Sequence, residues 1–373
     1  MSDSKKCVKG VNMAKSILKN ISIKGMSVVL GENQRHFSDE PLWWGGNEIQ
    51  CKKLQSVIGF ESTFVASQST TTADLCKMAS LNLISALGIE NSSIDAIISI
   101  TQTPDYQMPS NAHILHKDLG LRKDCIALDL QFGCSGFVYG LYVAGMLINS
   151  GLKRILLVAG DTISKCINPK DKATAPIFSD TGSATIIDFS QNAPNCYFVL
   201  KSDGRGWEHL CKKDGGYKIP SSEVTKIEVS DENGNIRSAE NLYMNGAEIF
   251  NFTLLEQPPL IDEILAFSNL TKEQIDFFVF HQANTYILQT LLKKAQIPLS
   301  KAPSIFAKYG NQNAASIPSA ICEELSEQFS TSKKVLMQGF GIGLSWGACI
   351  MEMENVLCLK PQIYTTTKGE NNE

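Results

Sequence analysis

No Cys-x-x-Cys pair occurs anywhere in the 373 residues, although the chain holds 11 cysteines. An odd count without pairing, in a chain this long, excludes a disulfide framework, and most of these cysteines read as small buried hydrophobes in a reducing compartment. Nor is there an apolar run near the roughly 20 residues that a membrane helix needs. Apolar stretches such as residues 94–100 and 155–160 have strand length. The N-terminus lacks a continuous apolar segment before a small-residue cleavage site, so no secretory leader is expected and the protein should be cytoplasmic. No basic run exceeds a pair, and 34 Lys and Arg against 38 Asp and Glu give a net charge of -4. Nucleic acid is therefore not an expected partner. His113 and His116 lie three apart on a helical stretch, but no neighbouring Cys, Asp or Glu completes a site, and no metal is expected.

What is present is an ordinary globular composition, 43% apolar and 19% charged, long enough for two domains or one duplicated domain. β-branched runs of strand length alternate with longer helical patterns over residues 94–159, which argues an α/β layered fold. "SSIDAIISI" (92–100) leads through a helical segment to "LGLRKDCIALDLQFGCSGFVYG", and "EQIDFFVFHQAN" (273–284) leads through another to "IPLSKAPSIFAKYGNQNAASIPSA". Cys134 lies 39 residues after Asp95, and Asn313 lies 37 after Asp276. Two copies of one unit would bring these corresponding turns face to face. Between the copies, residues 212–241 form a polar excursion with a hairpin turn at Asn233-Gly234. The expected division is an N-terminal half at 21–211, the excursion, and a C-terminal half at 242–364, with frayed ends at 1–20 and 365–373.

"LDLQFGCSGFVYG" (128–140) sets Cys134 where a strand gives way to a helix. A sulfur at a helix start faces unpaired N–H groups and the positive end of the helix dipole, which favours thiolate. Gly133 and Gly136 leave room for a substrate carbonyl to reach both the sulfur and a backbone N–H. On the residues alone, a nucleophile and a packed helix-start cysteine stay equally open. His281 ends an apolar strand in "FVFHQAN", where a ring can serve as a neutral donor or a base. Asn311 lies in a tight turn in "YGNQNAASIPSA", and its amide donates without titrating. "GFGIGLSWGA" (339–348) is a glycine-spaced turn suited to presenting a backbone N–H at close range.

That ordered set resembles the β-ketoacyl-acyl carrier protein synthase III family of the thiolase superfamily, over roughly residues 57–351. "FGCSGFVYGL" resembles the family's nucleophile segment, "FSDTGSAT" (178–185) its F-G-D-G-A-G-A, and "LYMNGAEIF" (242–250) its M-x-G-x-E-V-F. "HQAN" matches outright, while "YGNQNAASIP" and "FGIGLSWGA" resemble H-G-N-T-S-A-A-S-x-P and F-G-G-G-x-x-W-G. The resemblance implies a thiolase-like five-layered α-β-α-β-α fold from two similar halves, and a homodimer. It implies that Cys134 takes an acyl group from a thioester and that His281 and Asn311 hydrogen-bond the carbonyl of a malonyl-type thioester as carbon dioxide leaves. The backbone N–H groups of Cys134 and Ile342 would hold the tetrahedral oxygen. Met108, Phe178 and Gly343 are the implied pocket residues, Met108 reaching across the dimer interface. No cofactor is implied; thioesters of acyl carrier protein phosphopantetheine or of coenzyme A would be the substrates.

The chain departs from the family at several points. Ile342 replaces the middle glycine of the turn. The tryptophan that stacks on the coenzyme A adenine is Val57, and two family arginines are Tyr286 and Lys172. Without stacking and bidentate phosphate contacts coenzyme A should bind weakly, so acyl carrier protein becomes the expected donor and partner. Such departures fit a specialised paralogue. The rival readings are an acyltransferase on the same scaffold that forms an ester or amide without decarboxylation, and a catalytically silent partner subunit. A hydroxymethylglutaryl-type synthase would want a glutamate within 66–82, which contains only Asp74. A Cys-His-Asn hydrolase would leave "HQAN" and the glycine turn without a role.

Overall fold

The computed structural model describes residues 15–45, 47–59 and 61–365. Ten of the twelve strands in the two large sheets form their bodies: β1 (Lys15–Leu18), β2 (Ile21–Leu30), β3 (Ala96–Ile100), β4 (Ile126–Leu130), β5 (Arg154–Asp161), β6 (Thr181–Phe189), β7 (Cys196–Ser202), β8 (Phe277–Phe280), β9 (Lys333–Gly341) and β10 (Ser345–Met353). The first sheet runs β2-β6-β5-β3-β4, and the second β1-β7-β10-β9-β8. One plan serves both. β2 and β7 run antiparallel to β6 and β10, which run antiparallel to β5 and β9, which run parallel to β3 and β8.

The repeat extends to single hydrogen bonds. The Asp95 carboxylate, at the entry to β3, accepts the backbone N–H of Arg154 at 3.1 Å. Asp276, at the entry to β8, accepts that of Lys334 at 2.8 Å. Each carboxylate thus satisfies a donor at the start of the adjacent parallel strand, and the isoleucine before each, Ile94 and Ile275, is fully buried. That is why Ile-Asp recurs in the sequence.

Five helices complete the layers: α1 (Thr72–Leu87), α2 (Gly136–Asn149), α3 (Gly246–Ser268), α4 (Thr285–Ala295) and α5 (Ser316–Glu324). Phe137 and Leu141 of α2 and Ile317 and Ile321 of α5 share one core with Ile98 of β3 and Met337 of β9. α2 and α5 are therefore the central layer between the sheets. Ile97 points the other way and packs with α1, while Phe278 and Leu336 pack with α3 and α4. The result is the thiolase-like α-β-α-β-α stack. Because both faces of each sheet are covered, the strands are continuously apolar rather than alternating.

The sheets do not respect the expected division of the chain. Lys15–Leu18, assigned by sequence to a frayed end, is a strand paired with β7 from Lys15↔Val199 to Leu18↔Cys196. β7, inside the 21–211 half, belongs to the second sheet, whereas Leu357–Cys358 and Gln362–Ile363, inside the 242–364 half, pair with β2 of the first. Each half covers an edge of the other with its terminal strand, which satisfies backbone groups an edge would leave open. The expected frayed residues 1–14 and 366–373 lie outside the described residues, and Thr365 is exposed. In the excursion, Val229–Ser230 and Ile236–Arg237 form the anticipated hairpin. Gly234 supplies its left-handed turn at φ 74°, and Arg237 ties it to buried Asp171 at 3.3 Å.

Candidate active site

After β4 the chain turns tightly before α2 begins at Gly136. Small residues flank the cysteine closely: a Cβ on Gly133 would push aside the Gln102 side-chain oxygen, and one on Gly136 would lie 2.6 Å from Ile100 Cγ2. Cys134 is left buried at 5% exposure, and the backbone N–H groups of Ile342 and of Cys134 itself favour its thiolate. The glycine turn comes this close because Gly341 has no side chain; a Cβ there would lie 2.8 Å from Sγ. Ser345 Oγ, bonded to Ser135 Oγ at 2.6 Å and donating to Ile342 O at 2.8 Å, pins the two turns together.

Burial pushes the Cys134 thiol up to about 12, with the Ile342 N–H opposing and the Asp161 charge adding. The sequence argument that a helix start would favour the thiolate is corrected here: desolvation of the anion outweighs the dipole, and the resting group is the thiol. Its S–H donates to Asn313 Oδ1 at 3.6 Å.

His281 follows β8 and is buried, its Nδ1 bonded to Ser316 Oγ at 2.7 Å. Burial drives its pKa down to about 3, so the ring is neutral. Ser316 has one hydroxyl proton and two acceptors, Nδ1 and the carbonyl of Asn313 at 2.8 Å. When that proton goes to Nδ1, Nε2 carries the ring's hydrogen and is the donor available to the cavity. Asn311 accepts the Asn313 backbone N–H at Oδ1, 3.0 Å away, which leaves its Nδ2 as a donor.

Cys134, His281 and Asn311 line one cavity of about 90 Å³ together with Phe178 and Gly341. Leu210 and Met244, on one face of the two-stranded ribbon at the root of the excursion, close its wall. Of the other expected pocket residues, Met108 is 77% exposed and outside this cavity. Gly343 packs against Ser345, and it is Gly341 that meets the sulfur. Ile342 supplies its N–H while its side chain lies against Gly133.

Sequence reasoning missed the shell behind these groups. Asp161 ends β5, fully buried; its Oδ1 accepts the N–H groups of Gln102 and Thr103 and the hydroxyls of Thr101 and Thr103. Its Oδ2 accepts Asn313 Nδ2 at 3.1 Å. Burial pushes this carboxyl up to about 6 despite those bonds. Asn313 was marked only as the repeat partner of Cys134, and the two do meet. Asp161 carried no signal, because an Asp closing an apolar strand reads as the start of a loop.

The chain that places a cysteine, a neutral histidine and a carboxamide around this small cavity is similar in sequence and fold to known proteins. The profile described as 3-oxoacyl-[acyl-carrier-protein (ACP)] synthase III matches residues 128–204, and its C-terminal counterpart matches 265–353. A Campylobacter jejuni protein provisionally named 3-oxoacyl-[acyl-carrier-protein] synthase 3 is 37% identical, over 93% of this chain and 98% of its own. A β-ketoacyl-[acyl-carrier-protein] synthase III of Trichormus variabilis is 34% identical over 82% of this chain and 90% of its own. The crystal structure of a 3-oxoacyl-(acyl-carrier protein) synthase from Burkholderia xenovorans superposes with a TM-score of 0.87 at 33% identity, covering 94% of this chain and 99% of that one. The chain belongs to the β-ketoacyl-acyl carrier protein synthase III family. It is thus a condensing enzyme of the acyltransferase class.

Where this synthase departs from the family pattern, the structure shows what stands instead. Tyr286, half-exposed on α4, stacks on Phe250 at 5.7 Å between ring centroids. Lys172 is exposed. Of the upstream segment, Phe60 and the side chains of Val57 and Ile58 lie outside the described residues. No helix among the described residues is long and apolar enough to cross a membrane.

Proposed function

We propose that Cys134 accepts an acyl group from one thioester and joins it to a malonyl-type thioester with loss of carbon dioxide, giving a β-ketoacyl thioester. The observation that carries this reading is the convergence of Cys134, His281 and Asn311 on one cavity. In the first stage Sγ attacks the acyl carbon and gives up its proton, and the departing carrier sulfur leaves as a thiol. The N–H groups of Cys134 and Ile342, which favour the thiolate, receive the tetrahedral oxygen. In the second stage Asn311 Nδ2 and His281 Nε2–H bond the malonyl thioester oxygen. The bond to the carboxylate breaks, its electron pair forms the enolate, and carbon dioxide leaves. Two neutral donors suit this step, since a neighbouring cation would instead hold the carboxylate in place. The enolate carbon attacks the Cys134 thioester, the C–S bond breaks, and the sulfur regains a proton. No cofactor or metal enters either stage.

Both thioesters arrive on acyl carrier protein in this reading. Supporting it, Tyr286 and Lys172 replace bidentate arginines, and Tyr286 is engaged with Phe250. The working unit is a cytoplasmic homodimer. Supporting the dimer, β4 is the last strand of its sheet, and Ile126 on it and the nearby loop residues Tyr106 and Met108 are exposed apolar side chains. The test is intact mass after incubation with acyl carrier and coenzyme A thioesters, followed by labelled malonyl carrier. An acyl adduct on Cys134 and release of labelled carbon dioxide are expected. An adduct without carbon dioxide would leave the acyltransferase, and no adduct at all the silent subunit.

A further inference from the structure

The backbone and side chain of Asn313 together reach Cys134 and Asn311 directly and His281 through Ser316. Its side chain is an oriented bridge: Oδ1 accepts the Cys134 S–H at 3.6 Å, and Nδ2 donates to Asp161 Oδ2 at 3.1 Å. Its backbone N–H donates to Asn311 Oδ1 at 3.0 Å, and its carbonyl lies 2.8 Å from Ser316 Oγ, competing with His281 Nδ1 for that hydroxyl's single proton. Asn313 is 3% exposed, and its backbone is left-handed at φ 47°. We infer that Asn313 is a positioning residue: its side chain orients the Cys134 thiol for acylation, and its backbone holds the donors of Asn311 and His281 for decarboxylation. This rests on the functional reading above.

The chemistry asks for asparagine. Oδ1 takes the thiol hydrogen on one side of Sγ, so the sulfur lone pairs are left for the incoming acyl carbon. Nδ2 must donate at the same time, because Asp161 presents an acceptor and is itself held by four donations on its other oxygen. A carboxylate here would face a second carboxylate, and a serine is too short to span from Sγ to Asp161. Among side chains other than glycine, asparagine is also one of the few that readily adopts the left-handed backbone on which the two main-chain contacts depend.

The two roles separate by substitution. Asn313→Gly keeps the left-handed backbone and removes the bridge; Asn313→Ala removes the bridge and strains the backbone; Asn313→Ser restores an acceptor near Sγ without the link to Asp161. Two rates are read on the full-length enzyme: acylation of Cys134 by intact mass, and carbon dioxide release from malonyl carrier by unacylated protein. For Asn313→Gly, acylation falls between about 10- and 100-fold, while decarboxylation and the KM for malonyl carrier stay within about twofold. For Asn313→Ala both rates fall. Asn313→Ser, strained like alanine but with an acceptor restored, acylates faster than Asn313→Ala. A glycine variant that acylates like wild type, an alanine variant that spares decarboxylation, or a serine variant no better than alanine overturns the inference and leaves the function intact. Wild-type protein that neither acylates nor decarboxylates overturns the functional reading and this inference with it.

Discussion

The turn that carries Cys134 and the turn that carries Asn313 occupy the same place in the two copies of the repeat, yet they are built differently. The first is made of small residues, with Ser135 right-handed at φ -86° before α2. The second is made of amides, with Asn313 left-handed at φ 47° ahead of α5. Duplication aimed two helix starts at one cavity, and divergence put a nucleophile on one and neutral donors on the other. Burial acts on both in the same sense: the thiol is pushed up and the imidazole down. Both sides therefore rest uncharged, and the buried charge of Asp161 is held behind Asn313, outside the cavity lining.

Breaking one side should leave the other working. Cys134→Ser should lower acylation by about 10³-fold or more while unacylated enzyme still decarboxylates malonyl carrier; loss of both in a folded variant would show that the sides are not separable. His281→Ala and Asn311→Ala should do the reverse, lowering decarboxylation about 10²- to 10³-fold with acylation little changed, read by the same two assays. The thiol side also has its own pH signature. Because the folded thiol titrates at about 12, its thiolate fraction rises about tenfold per unit throughout the neutral range. Alkylation of Cys134 by iodoacetamide should accordingly increase about 100-fold from pH 7 to 9 without a plateau, and a plateau below pH 8 would mean that the helix start outweighs burial. No break from His281 should appear in the decarboxylation rate between pH 6 and 8, since its titration is displaced to about 3.

Gly341→Ala tests the contact between the sides. A Cβ 2.8 Å from Sγ on a backbone at φ 157° should displace the Ile342 N–H and slow acylation about tenfold, with a stability loss of about 1–3 kcal/mol in urea unfolding. The smallest effect concerns the carrier. Tyr286→Arg should lower the KM for coenzyme A thioesters about two- to fivefold and leave that for acyl carrier thioesters unchanged; equal effects on both would remove the case for carrier preference.

Much of this arrangement was legible in the residues. The alternation of strands and helices, the two Ile-Asp entries and the hairpin at Asn233-Gly234 are local patterns, and each appears in the fold. Cys134, His281 and Asn311 were singled out through the family resemblance of their motifs, since on the residues alone a nucleophile and a packed cysteine stayed equally open, and the structure brings all three to one cavity. Strand exchange was not legible: nothing in "KSIL" says that it pairs with β7, 181 residues away. Gly341 could not be told from Gly343 by spacing, since only the approach of the sulfur distinguishes them.

The sequence by itself determined the layered α/β architecture, which follows from periodicity, while the two similar halves and the three residue types of the site followed from the family resemblance of its motifs. Only the tertiary structure decided the protonation of the thiol and the imidazole and the role of Asp161 and Asn313. Those depend on desolvation and on hydrogen bonds between segments far apart in the chain, and neither quantity exists until the chain has closed around the cavity.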